Sequence, residues 1–311
     1  MAKITWKGII QIFKDASKGF GEHKLTKLSG SLAYSTVFSL GPLLIVIISL
    51  CSIFFAREAV EGKIYGQLAG FIGSQTASQL QQIIKSGALT GKSHIAIIVG
   101  IVTLLLGSTA VFGEIQDSIN TIWGLKPKPK KGWIKVLQNR FLSFSIIVSL
   151  GFLLLVSLVL SSFIDGFSDY LKLHFKQITV ITLYIINNLL TLVITTIIFA
   201  VIFKVLPDGK IKWKDIFIGA AVTALFFMLG KFAISFYIKK SNISSTYGAA
   251  GSLVILLLWI YYSSLILYFG AEITKSYAVT WGSKIYPKHY AVSTKTVEVN
   301  TGMQEVKKEN V

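Results

Sequence analysis

With a single cysteine, Cys51, the chain can neither close an internal disulfide nor gather thiolates around a metal. Its histidines, His23, His94, His174 and His289, lie far apart and show no HxH or HExxH spacing, so no zinc site is written into the sequence. GxxxxGK[ST] phosphate loops and GxSxG nucleophile elbows are missing too. Paired acids occur only as Glu58 with Glu61, Glu114 with Asp117, and Asp165 with Asp169, all at the edges of apolar runs. Charge is scarce, at 14% of residues, and acids are scarcest: 14 Asp and Glu against 31 Lys and Arg. These absences remove the common hydrolase and metalloenzyme patterns. No catalytic residue, cofactor or metal is expected, and the chain reads as a non-enzyme.

What the chain has is apolar length. Hydrophobic residues make up 53% of it, and they cluster into runs of about twenty, enough to cross a ~30 Å hydrocarbon layer as a helix. Six spans are expected, near residues 31–55, 94–113, 141–164, 178–203, 215–238 and 248–270. The fold class is therefore all-α, an integral membrane bundle of six transmembrane helices with amphipathic interfacial helices. Residues 1–28 form an N-terminal arm, 29–280 the membrane domain, and 281–311 a polar tail expected to be disordered.

The positive charges fix a predicted orientation. Of the lysines and arginines outside the spans, twenty-two fall before the first span, between spans two and three, between four and five, and in the tail. Eight fall on the other side. The positive-inside rule makes the first set cytoplasmic, with both termini on that side of the membrane. A net charge of +17 could also attract nucleic acid, but lysines confined to loops between apolar runs answer to anionic lipid headgroups instead. Membrane lipids are the expected partners, nucleic acid is not, and a homo-oligomer or envelope partner proteins remain open.

Two segments outside the spans carry helical periodicity. Trp6, Ile9, Ile10, Phe13 and Phe20 recur with Lys7, Lys14 and Lys18 between them, a basic amphipathic helix suited to the headgroup layer. Ile64, Leu68, Phe71 and Ile72, then Leu80, Ile83 and Ile84, predict one or two helices over the outer mouth, with a re-entrant element as the alternative. Pro127 and Pro129 forbid a helix in LKPKPKKGW.

Polar groups at membrane depth are the functional leads, because each is costly unless paired or hydrated. Span one carries Tyr34, Ser35 and Ser39 ahead of Pro42, whose missing donor predicts a kink or break. Asn187 and Asn188 sit mid-span four, where amides bond across helices. Lys231 is the most central formal charge; it can snorkel outward or meet an anionic substrate. Tyr247, Tyr261 and Tyr262 complete the candidate pathway, and Glu114, Asp117 and Glu272 mark the cytoplasmic span ends. Packing kinks, interhelical amide bonds and core aromatics are the plainer readings of the same residues.

SGSLAYSTVFSLGPLLIVI, GEIQDSINTIWGL, LPDGKIKWKDIFIGAAVTALFFMLGKF and YGAAGSLVILLLWIYYSSLILYFGAEI, in that order, resemble the YihY/BrkB family. The likeness covers roughly residues 25–280. It implies a six-helix bacterial inner-membrane protein and supplies no catalytic residues. The family's old label as ribonuclease BN finds no acid–base pair or ligand cluster here to support it, and its other label is that of a virulence factor. The expectation is a transporter or flippase-like protein for a lipid or other amphipathic, anionic substrate; a membrane scaffold for envelope assembly is the alternative.

Overall fold

The computed structural model describes residues 5–51, 61–62, 64–66, 69, 74–89, 110–128, 178–241, 247 and 250–294. Spans three and most of two, with His94, His174, Asp165 and Asp169, lie outside these residues.

Helix dominates. Helix α1 (Trp6–Glu22) opens on Thr5, whose side chain accepts from the Gly8 N–H at 3.3 Å, satisfying one of the orphan donors of the first turn. His23 and Lys24, the latter at φ 52°, turn the chain directly into α2 (Leu25–Cys51). Helix α3 (Ser74–Leu89) follows, then α4 over 110–122, α5 (Ile178–Val205), α6 (Trp213–Lys240) and α7 (Gly251–Thr280). Three of them, α5, α6 and α7, contain stretches long and apolar enough to cross a membrane. Apolar length on every side is what such helices need, since lipid replaces water around them.

Helix α6 packs against both α5 and α7, and α7 also packs on α1, α2 and α3. The α6–α7 contact rests on a reciprocal pair of glycines. A methyl added at Gly219 would strike Thr274, and one added at Gly270 would strike Thr223. Each threonine donates to the carbonyl four residues back on its own helix, Thr223 to Gly219 and Thr274 to Gly270, both at 2.7 Å. The hydroxyls are thus satisfied within their helices and the backbones can close up, the small-residue packing that holds membrane helices together.

Several expectations are revised. Helix α2 runs unbroken through Gly41 and Pro42, so the chain is not interrupted there. Helix α7 starts at Gly251 and continues ten residues beyond the expected end at 270. Helix α1 packs on the bundle: Gly8 abuts Trp281 and Gly19 abuts Glu272, so α1 runs antiparallel to the last turns of α7. The expected disorder from residue 281 fails for 281–294. There β3 (Tyr286–Pro287) pairs antiparallel with β2 (Gly209–Lys210), and β4 (Ala291–Ser293) with β1 (Leu125–Pro127). The backbone donors and acceptors of the loops after α4 and α5 find partners in the tail, which is why so polar a segment takes a fixed path. Residues 295–311 lie outside the described set.

A helix forms where Leu80, Ile83 and Ile84 predicted one, as α3. Its Leu80 is buried with Ile255 and Leu256 of α7, against Val37 and Leu40 of α2. The main core lies at the other end, where Leu25, Ile119, Ile122, Phe203, Leu206, Ile216 and Tyr268 are almost fully enclosed. This is the lysine-rich end of the bundle.

Candidate functional site

Three features stand out, all at or near the lysine-rich end. The first is a buried hub on Asp208, in the short turn between α5 and β2. Its carboxylate accepts from Gln116 Nε2 and Asn120 Nδ2 of α4, both at 3.0 Å, and its N–H donates to Asn120 Oδ1 at 2.8 Å. Its carbonyl accepts from the Lys288 N–H at 2.8 Å. A carboxyl group only 4% exposed needs such donors to offset its lost hydration. Burial lowers the Lys288 ammonium below its ordinary range; Asp208 opposes that shift and Lys204 adds to it. Burial, then the Asp208 charge, raises the Tyr290 phenol.

Related contacts surround the hub. Lys275 Nζ donates to the Ile122 carbonyl at 2.7 Å, and Trp123 Nε1 to the Ala271 carbonyl at 3.1 Å, tying the end of α4 to α7. Gly124 at φ 64° lets the chain leave α4 in the left-handed conformation. Asp215, in the first turn of α6, accepts from Ser283 N and Oγ at 2.8 and 2.6 Å.

The second feature is a cleft of about 250 Å³ between α1 and α7, lined by Asp15, Lys18, Glu22, His23, Glu272 and Lys275 among others. Glu272, 2% exposed, meets His23 Nδ1 at 2.5 Å. Glu272 thereby links the last turns of α7 to the N-terminal segment. Lys18 and Glu22 form an exposed pair at 3.3 Å.

The third is an apolar groove of about 460 Å³ on the seam of α5 and α6, lined by Leu192, Val193, Thr196, Ile197, Phe217, Ala221 and Leu225. At its lysine-rich rim Trp213 stacks on Phe217 at 5.7 Å. Lys204 Nζ sits 5.3 Å from the Trp213 ring while donating to the Ile211 carbonyl at 2.5 Å.

The residues singled out by sequence fall on several elements of the bundle. Tyr34 is 66% exposed and packs on Phe38, while Ser39 is buried and Ser35 half-buried. Tyr247 is exposed, and Tyr261, Asn188 and Lys231 are half-buried. Tyr262 packs on Gly230 of α6, and Asp117 is exposed on α4 with Glu114 half-buried. Pro42 and Asn187 are described only as helical backbone. Sequence reasoning missed Asp208, Asp215, Gln116 and Asn120. The turn residues Pro207-Asp208-Gly209 between two apolar runs were the available signal. Among the described residues no three of His, Cys, Asp and Glu lie close enough to hold a metal.

Long apolar helices joined at one end by a buried polar hub define a polytopic helical membrane protein. The profile of the family described as Virulence factor BrkB matches residues 16–292, and the chain belongs to that family. It is similar to a UPF0761 membrane protein of Haemophilus influenzae (strain 86-028NP), 29% identical over 83% of this chain and 92% of the relative. A UPF0761 membrane protein of Aggregatibacter aphrophilus is 29% identical over 87% and 92%. One from Ralstonia nicotianae is 28% identical over 86% of this chain but 59% of its own length. No solved structure matches. The match takes in the last turns of α1 from residue 16 and the β3–β4 segment to residue 292, both outside the span of the motifs quoted above.

Proposed function

We propose that this protein is a transporter or flippase-like protein of the bacterial inner membrane, with both termini cytoplasmic, acting on a lipid or similar amphipathic anion. The observation that carries the reading is the α5–α6 groove. Its walls are almost wholly apolar, as an acyl chain requires, and its rim holds Trp213 and Lys204, with Lys212 and Lys214 beside them in sequence. Tryptophan and lysine at a groove mouth suit a headgroup phosphate. Lys231, half-buried further along α6, is the next cation such an anion would meet.

The test is reconstitution into vesicles holding a fluorescent anionic phospholipid, with leaflet exposure read by dithionite quenching. Wild type moves the probe between leaflets, and Ala221→Trp, which fills the groove, slows it by roughly tenfold or more. Wild type that moves no lipid, or an Ala221→Trp variant that keeps full rate, overturns the reading. The scaffold alternative draws on the strand pairing that fixes the tail to two loops; it predicts stable envelope partners on crosslinking and no lipid movement. The reading includes no catalytic step, and RNase activity in purified protein would contradict it.

A further inference from the structure

Helix α1 divides into sectors. Ile12, Ala16 and Gly19 are buried, and Gly19 and Gly8 bring the backbone onto Glu272 and Trp281. Trp6, Ile10 and Phe13, at 75%, 53% and 38% exposure, fall within about 60° of one another on the opposite flank of the wheel. Lys7, Lys14 and Lys18 follow about 100° further round, and Gln11, Asp15 and Glu22 complete the circle. Three exposed large apolar side chains in a line are more than a solvated helix needs.

Two observations say what covers them. Phe13 stands edge-on to Phe226 of α6 at 6.2 Å, so the apolar sector of α1 runs on into the outward surface of α6. That surface carries exposed Leu229, Phe232 and Phe236 and, on a span of this composition, belongs to lipid. The neighbouring lysine sector places three ammonium groups beside the apolar one, the order in which acyl chains and phosphates occur at a leaflet surface.

We infer that the Trp6–Ile10–Phe13 face of α1 is a lipid-contact surface. It seats in the acyl region of the leaflet at the lysine-rich end, and Lys7, Lys14 and Lys18 meet anionic headgroups. Helix α1 is thereby held on two sides, by α7 through Gly8 and Gly19 and by lipid through its aromatic face. The inference is independent of whether the bundle moves lipid.

Single cysteines at Ile10 and at Gln11, in a full-length Cys51→Ala background, test it. Each is spin-labelled in nanodiscs of mixed phosphatidylcholine and phosphatidylglycerol, and collisions with oxygen and with a water-soluble nickel chelate are compared. Both positions are exposed, so the labels leave the packed face untouched. The oxygen-to-nickel ratio at Ile10 is expected to exceed that at Gln11 by roughly an order of magnitude. Replacing all three lysines by glutamine lowers the Ile10 ratio in the anionic discs and leaves it unchanged in pure phosphatidylcholine. A nickel-accessible Ile10 would place this face in water and overturn the inference. A label shielded from both reagents would mean that a protein, such as a second copy of this chain, covers it, and would overturn the inference equally.

Discussion

The two ends of α6 are built on different terms. Near its start, Ile216, Ala220 and Ala224 are fully buried, and Asp215 is held by Ser283. Two turns beyond Ala224, Phe232 and Phe236 are 59% and 66% exposed. The lysine-rich end is assembled as a water-soluble core is, by apolar burial plus satisfied polar groups. The other half leaves Leu229, Phe232 and Phe236 to lipid, and the close approach at small residues, which Gly219 and Gly270 provide at the first end, continues there at Gly230. Substitutions should therefore cost far more at the first end than at the second.

The largest effect is expected at the α6–α7 crossing. Gly270→Leu drives a side chain into Thr223, and the two helices must separate; overpacking of this kind costs about 1–3 kcal/mol or more. Leu229→Ala, at 67% exposure, should stay within about 0.5 kcal/mol. Thermal unfolding in detergent, followed by monodispersity on size exclusion, compares them. Equal melting temperatures would erase the distinction between the two ends.

Next in size is the hub. Asp208→Ala strands the amide donors of Gln116 and Asn120 in a buried site, at about 2 kcal/mol for the pair after relaxation. Asp208→Asn keeps one acceptor and should lose less. Limited proteolysis gives a second readout, because the turn that the carboxylate fixes to α4 also presents the Asp208 backbone carbonyl to the Lys288 N–H and so positions the 281–294 segment. New cleavage there in Asp208→Ala, and not in Leu229→Ala, is the expected pattern.

The same contrast explains what the sequence revealed. Apolar runs predicted α5 and α6 to within a few residues, because twenty consecutive apolar side chains have few alternatives. At the C-terminal end of α7, Glu272 and Lys275 look in sequence like the end of a span; in the fold both are satisfied, by His23 and by the Ile122 carbonyl. His23 and Glu272 are 249 positions apart, and no local spacing announces such a pair. Strands of two or three residues have no readable period, so nothing in the sequence sets β3 and β4 apart from a polar tail. Polar residues in span one drew attention for their cost in lipid, yet Tyr34 faces outward beside Phe38. Composition shows that a residue is unusual at its depth, and only packing shows which way it points.

The smallest expected effect lies in the pH dependence of the hub, where two neighbours act with opposite sign. The folded state lowers the Lys288 ammonium from 10.5, chiefly through burial. Between its folded value and 10.5 the unfolded chain binds more protons at this site than the folded chain does. Stability therefore rises with pH across that window, and the deficit persists at all lower pH. Burial raises the Tyr290 phenol from 10.0. Above pH 10 the folded chain holds a proton that the unfolded chain releases, so this site lowers stability as pH climbs. Lys288→Met should thus remove the gain on the approach to pH 10.5, and Tyr290→Phe should remove part of the loss above pH 10. Both groups are partly solvent-exposed, so each shift in the melting curve should be modest. Denaturation of the two variants and wild type from pH 7 to 11 measures them. Because the lysine-rich end alone carries these two groups, Leu229→Ala should follow the wild-type pH curve, and a variant of the far half that changed its shape would show that the two ends unfold as one unit.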